Sequence, residues 1–354
     1  MQNRKSSTST QNIRGRGKRG NTGSRLRPPN DSVDRLATDF GNILSVSRSS
    51  GLDRGGDALK SFETQEAYRK FIQEKILEYW KQYQSGEHLS EADMKQKTEV
   101  EGNIMILFRK LREGIASTER KDSFSLEVYE TSLYLSVIFS LPGQTNAITS
   151  HLIPSFSVYT PADFLSDACV LVSLVDALVV SHPSQQLYLD RLKSVPIPHL
   201  LHGHANSWVE AVTRCLRRQE YRGLDGLTRS SAVDILVSSL SAAPRHSQDS
   251  GSSSVPVDAF VPMQQNLVRL AINTLIDRLR EKARIVAWRI FRSAYREFKL
   301  PVLDTRAWLA TGLLLGSDKS GDDSVDSWLS QAASSGEVER KVGAEGQWAI
   351  KKRR

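Results

Sequence analysis

Three histidines in a span of six residues, His199, His202 and His204, are the densest set of metal-ligand types in the chain. An HxxHxH spacing can bring two imidazoles to one ion, but no acidic residue or cysteine in the segment completes a shell. Loop histidines beside a helix start are the commoner use of the pattern, and neither a metal nor a cofactor is expected. Cys169 and Cys215 are the two cysteines, and neither sits in a CxxC pair. That excludes a disulfide framework and cysteine-built zinc, and suits a reducing compartment. Each lies in an apolar helical context, where a buried, inert thiol is the default. Asp167 and Asp176 interrupt an apolar stretch and are read as helix-edge or capping carboxylates. The sequence holds no GxxxxGK[ST], no GxGxxG after a strand, no GxSxG and no HExxH. With no nucleophile–base pair and no metal set, the expectation is that the chain is not an enzyme, with no catalytic residue and no small-molecule substrate.

Two basic features remain. Of 48 Lys and Arg against 40 Asp and Glu, eight fall in residues 1–30, which hold no acid, so the other 324 residues are neutral overall. Within that start, Arg14, Arg16, Lys18 and Arg19 alternate with glycine. Such a segment reaches phosphates and stacks on bases without a fixed fold, and it equally suits a nuclear-import signal or a merely solvated tail. Lys351-Lys352-Arg353-Arg354 is a smaller echo at the other end. The second feature is the stretch 278–299, with Arg278, Arg280, Lys282, Arg284, Arg289, Arg292, Arg296 and Lys299 against Glu281 and Glu297. That excess suggests a face for phosphate or an acidic partner. Arg289, Arg292 and Arg296 are its nucleic-acid candidates.

The elements that would position these groups are helical. Residues 1–55 read as a disordered basic tail, with scattered hydrophobes only over 36–46. Helical spacing begins near Asp57, in a stripe through Tyr68, Ile72, Tyr79 and Tyr83. Ser90 is the expected N-cap of the next helix, whose stripe is Val100, Ile104, Leu107, Leu111 and Ile115. The segment 124–141 is too apolar for a surface helix and ends at Pro142-Gly143. Thr160-Pro161-Ala162-Asp163 reads as the capped start of a helix running to Ser181-His182-Pro183. Shorter helices are expected at 184–193, 206–219 and 230–241, together forming an antiparallel helical-repeat region over 56–241. A Ser/Pro-rich linker or loop covers 242–262, and a long helix runs from about 264 to 299, to be closed by Pro301. Two short helices follow at 305–315 and 324–333. Then come two strand-like runs, 337–342 and 347–352, around Gly343-Ala344-Glu345-Gly346, a hairpin signal. No secretory signal is expected, because no apolar run follows the basic start. Only 133–141 is densely apolar, too short for a membrane span.

A long helix, two short helices and a hairpin at the end of a helical array resemble a PCI module. The residues that carry the resemblance are 275–280 (Leu-Ile-Asp-Arg-Leu-Arg), 287–295 (Ala-Trp-Arg-Ile-Phe-Arg-Ser-Ala-Tyr) and 310–315. The pattern continues in Asp326-Ser327-Trp328-Leu329 and in Gly336 to Val342, while 208–221 is similar to the segment that precedes the winged helix in such proteins. The family comprises subunits of the proteasome lid, the COP9 signalosome and initiation factor three, and the SAC3/GANP mRNA-export scaffolds. The resemblance implies an all-α fold, a helical-repeat array followed by a C-terminal winged helix with a small β-hairpin, the PCI-like part spanning 263–354. It also implies contacts with other subunits through the winged helix, with Trp328, Val338 and Val342 near the interface. The expected function is that of a non-enzymatic PCI-type scaffold subunit of a nuclear complex linked to mRNA processing or export, with RNA contact through the basic tail. One alternative is a proteasome-lid-like subunit. Another is a stand-alone winged-helix nucleic-acid-binding factor, although the helix at 324–333 carries Asp326 and no Lys or Arg. The expected location is the nucleus, with the cytoplasm as an additional one.

Overall fold

A computed structural model describes residues 58–83, 90–156, 166–195, 201, 203–241, 260–300, 303–316, 321–344 and 346–351. The expected tail, the 242–259 part of the linker, Thr160-Pro161-Ala162-Asp163, His199 and His202 lie outside these residues. After a 3-10 turn at Ala58–Lys60 come α1 (Phe62–Tyr83), α2 (Glu91–Ser117), α3 (Ser123–Ile138), α4 (Pro142–Phe156) and α5 (Asp167–Ser181). They are followed by α6 (Gln186–Ser194), α7 (Gly203–Arg218), α8 (Tyr221–Leu227), α9 (Ser230–Ser241) and the 35-residue α10 (Phe260–Ala294). The end of the chain adds β1 (Glu297–Lys299), α11 (Leu303–Gly312), α12 (Gly321–Ser334), β2 (Val338–Arg340) and β3 (Gln347–Ile350). The fold is mostly helical, with one small antiparallel sheet.

Local chemistry sets the helix starts. Ser90 caps α2 as expected: its hydroxyl accepts from the Asp93 N–H at 3.2 Å while Asp93 accepts from the Ser90 N–H, a reciprocal capping box. Asp122 caps α3 through the Ser125 N–H at 2.9 Å. Pro142, read as a stop, also occupies the first position of α4, where its missing N–H costs nothing. The helix after it, α5, is capped by Ser166, whose hydroxyl accepts from the Cys169 N–H. The helix that runs to Ser181 therefore starts at Asp167, later than the sequence reading placed it.

Helices α3 and α5 are buried on nearly every side, through Val128, Leu133 and Leu135 in one and Leu171, Val172 and Val175 in the other. Neighbouring helices pack in sequence order (α1 on α2, α2 on α3, α3 on α4, α5 on α6), and α10 returns to pack against both α3 and α5. Its apolar face is Ile272, Leu275, Leu279 and Ala283, then Ala287 and Trp288. Beyond that point the expected stripe fails. Ile290 is exposed and the helix stops at Ala294, because residues 297–299 pair with β3 in the register Phe298↔Trp348. The sheet order is β1-β3-β2, with α11 and α12 between β1 and β2 in the chain. Gly343 (φ 81°) and Gly346 (φ 69°) make the β2–β3 turn in a backbone region that side chains with a Cβ rarely adopt.

Candidate partner and nucleic-acid interface

The basic residues of α10 mostly turn inward. Each α-helix ends in carbonyls without intrahelical partners, and α10 supplies donors to three such ends. Arg278 donates to Val137 O (3.0 Å) and the Ser140 hydroxyl at the end of α3. Lys282 donates to Val179 O (2.6 Å) in the last turn of α5. Arg284 reaches Leu313 O (3.0 Å) and Leu314 O (3.1 Å) just after α11.

Arg280 is the centre of this arrangement. Its side chain is 8% exposed and bonds Asp225 Oδ1 (2.6 Å), Thr228 Oγ1 (2.6 Å), Leu314 O (3.1 Å) and Gly316 O (2.7 Å). Asp225, 1% exposed, takes a second cation from Arg229 at 2.8 Å. One guanidinium thus ties α8, α10 and the segment after α11 into a single unit, using the fork geometry that distinguishes Arg from Lys. Periodicity gives Arg280 no such role. The available signal was an arginine set between two apolar positions, Leu279 and Ala283.

Of the nucleic-acid candidates, Arg289 and Arg296 are exposed. Arg292 is directed to Glu337 (3.0 Å) and Lys351 O (2.9 Å), which fastens α10 to β2 and to the end of β3. Glu337 also accepts from the Trp288 indole at 2.7 Å. Arg14, Arg16, Lys18 and Arg19 lie outside the described residues. Among the expected partner residues, Trp328 is half-buried and meets Trp288 edge to face at 4.7 Å. Val338 is 2% exposed and faces the core beneath the hairpin, so it backs this surface from inside. Val342, at the tip, is 98% exposed, beside exposed Arg340 and Lys341.

The other titratable candidates are structural in placement. His204 is exposed in the first turn of α7. Cys169 is fully buried, and burial, with Glu130 adding to it, pushes its thiol well up. Cys215 is half-buried rather than buried, because it lies toward the exposed end of α7. Asp176 is buried and its carboxyl is raised by burial, against the opposing pull of Arg191, Arg278 and Lys282. Among the described residues no three His, Cys, Asp or Glu side chains group to hold a metal, and no helix is long and apolar enough to cross a membrane. Comparison with protein-family models, curated proteins and solved structures returned no match.

Proposed function

We propose that the chain is a non-enzymatic PCI-type scaffold subunit whose C-terminal part is a winged helix that contacts other subunits. The observation that carries this reading is topological. A helix, a strand, two helices and a hairpin, closing a sheet in the order β1-β3-β2, is the layout a winged helix requires. The hairpin also presents Val342 to solvent, an apolar side chain held where it gives the fold no buried area. Nuclear location and a link to mRNA processing or export rest on the glycine-spaced basic run at 14–19; a proteasome-lid-like subunit is the rival within the same class. A stand-alone nucleic-acid-binding factor is less favoured, because α12 carries Asp322, Asp323 and Asp326 and no Lys or Arg. Such a helix is a poor neighbour for phosphates in a groove.

The test is isolation of the tagged full-length chain under native conditions, followed by cross-linking through Lys341 and Lys351. Stoichiometric partner subunits cross-linked at the hairpin, and released by Val342→Asp without a change in melting, are the expected result. A chain recovered alone, or a complex indifferent to Val342→Asp with no cross-link at Lys341, overturns the reading.

A further inference from the structure

The α5–α6 turn, the ends of α7 and α8 that face each other, and one side of α10 enclose an open cleft of about 380 Å3. Its apolar lining is Leu189, Leu216, Tyr221 and Val286. A smaller hollow of about 220 Å3 adjoins it, sharing Leu189 and Arg217 and adding Arg214. Arg217 lines both hollows and Arg214 the smaller one; both are exposed, as are Arg218 and Arg222, their neighbours in the chain. None of the four forms an ion pair or hydrogen bond among the described residues, unlike Lys75, Lys95 and Arg109, which pair with glutamates one turn away. The nearby acids are already placed, Glu210 held by the Asn206 amide at 2.9 Å and Glu220 lying over Gly223.

We propose that this cleft docks an acidic peptide segment carrying one apolar anchor residue. The anchor would enter between Leu189 and Val286, and the arginine forks would take flanking carboxylates in the paired geometry that suits them. Charge complementarity selects the occupant's sign, and the lining selects peptide over RNA. Of the two rings that line the cleft, Tyr221 is 8% exposed and offers no open face on which a base could stack, and His182 is itself half-buried in the α5–α6 turn. The cleft is separate from the hairpin surface and does not depend on the winged-helix reading.

Fluorescence anisotropy on the full-length chain at physiological salt tests the proposal. The probe is a short labelled peptide of Asp and Glu around a single Trp, compared with its Asn/Gln counterpart and with a uridine oligomer. The acidic peptide should bind best. Joint Arg214→Gln, Arg217→Gln, Arg218→Gln and Arg222→Gln should weaken it about tenfold or more, and Leu189→Asp by a similar factor. Arg214→Gln with Arg217→Gln, both at exposed lining positions without partners among the described residues, is the variant that keeps the fold if the fourfold one does not, and should still weaken binding about threefold. Val342→Asp should leave binding unchanged, whatever it does to complex assembly. Equal binding of the acidic and amide peptides, peptide binding indifferent to the arginine variants, or tighter RNA binding through the same arginines would each overturn the proposal.

Discussion

Replacing Arg280 by Ala removes one guanidinium from acceptors on four residues at once. Asp225 would keep Arg229, whose side chain is half exposed, while the Gly316 carbonyl would lose the bond it accepts at 2.7 Å. Leu314 O retains Arg284, so the loss falls mainly on Asp225, Thr228 and Gly316. Breaking a buried pair by removing one partner costs about 3–5 kcal/mol, and the surviving Arg229 contact places this site near the lower end. For a unit of this size, about 3 kcal/mol corresponds to a fall in Tm of about 6–10 °C. Arg280→Lys should fall between, since an ammonium cannot span acceptors on α8 and on the segment after α11 together. The decisive measurement is a double-mutant cycle with Asp225→Asn, read by thermal and urea melting monitored by circular dichroism. If the network acts as one unit, the double variant should be less destabilised than the two singles combined, by about 1 kcal/mol or more. A Tm loss below about 2 °C for Arg280→Ala, or strict additivity with Asp225→Asn, would refute the reasoning.

Asp176 tests the electrostatics in the opposite direction. Its folded carboxyl is raised, so the folded state holds the proton more tightly than the unfolded one and loses stability as pH rises through the carboxylate range. Asp176→Asn should therefore be more stable than the parent at pH 7, with the gain vanishing as pH falls toward 4; denaturant melts at both pH values check this, and greater destabilisation at pH 7 than at pH 4 would mean the three cations prevail. With a thiol reagent under native conditions, Cys215 should react and Cys169 only upon unfolding, with rates differing by about 100-fold or more. Gly114→Ala should cost about 1–3 kcal/mol, because the new Cβ would meet Leu59 Cβ at 2.8 Å and Leu59 O at 2.9 Å. Gly102→Ala in the same helix meets nothing within 4 Å and should add about 0.5–1 kcal/mol in urea melts.

Helical periodicity located α1, α2, α3, α6, α7 and α9 to within a few residues, because one apolar face of each packs against a sequence neighbour. It was weakest where structure depends on partners far along the chain. Phe298 falls at the period of the α10 stripe, yet its backbone pairs with Trp348, fifty residues later, and so becomes β1. Helix α4 has no counterpart in the sequence reading, which ends the preceding segment at Pro142-Gly143; Thr145 and Thr149 are buried there and bond within the helix and to Ser136. Helix α8, seven residues long, spans too few turns to show a period. Arg280 was legible as a charge and not as a buried one, since the carbonyls it satisfies belong to elements that no local pattern places beside it.

The same contacts change what the charge composition means. Eight basic residues over 278–299 suggested a cationic face, but Arg278, Arg280, Lys282, Arg284 and Arg292 are spent on carbonyls and carboxylates of this chain. A long helix that crosses the ends of several others meets their partially negative C-termini, and basic side chains are what such crossings require. The excess of Arg and Lys therefore follows first from the position of α10 in the fold. Of that set, Arg289, Arg296 and Lys299 remain exposed. Arg214 and Arg217 at the end of α7, by contrast, have no acceptor among the described residues, and it is to them that the proposed acidic peptide would bind.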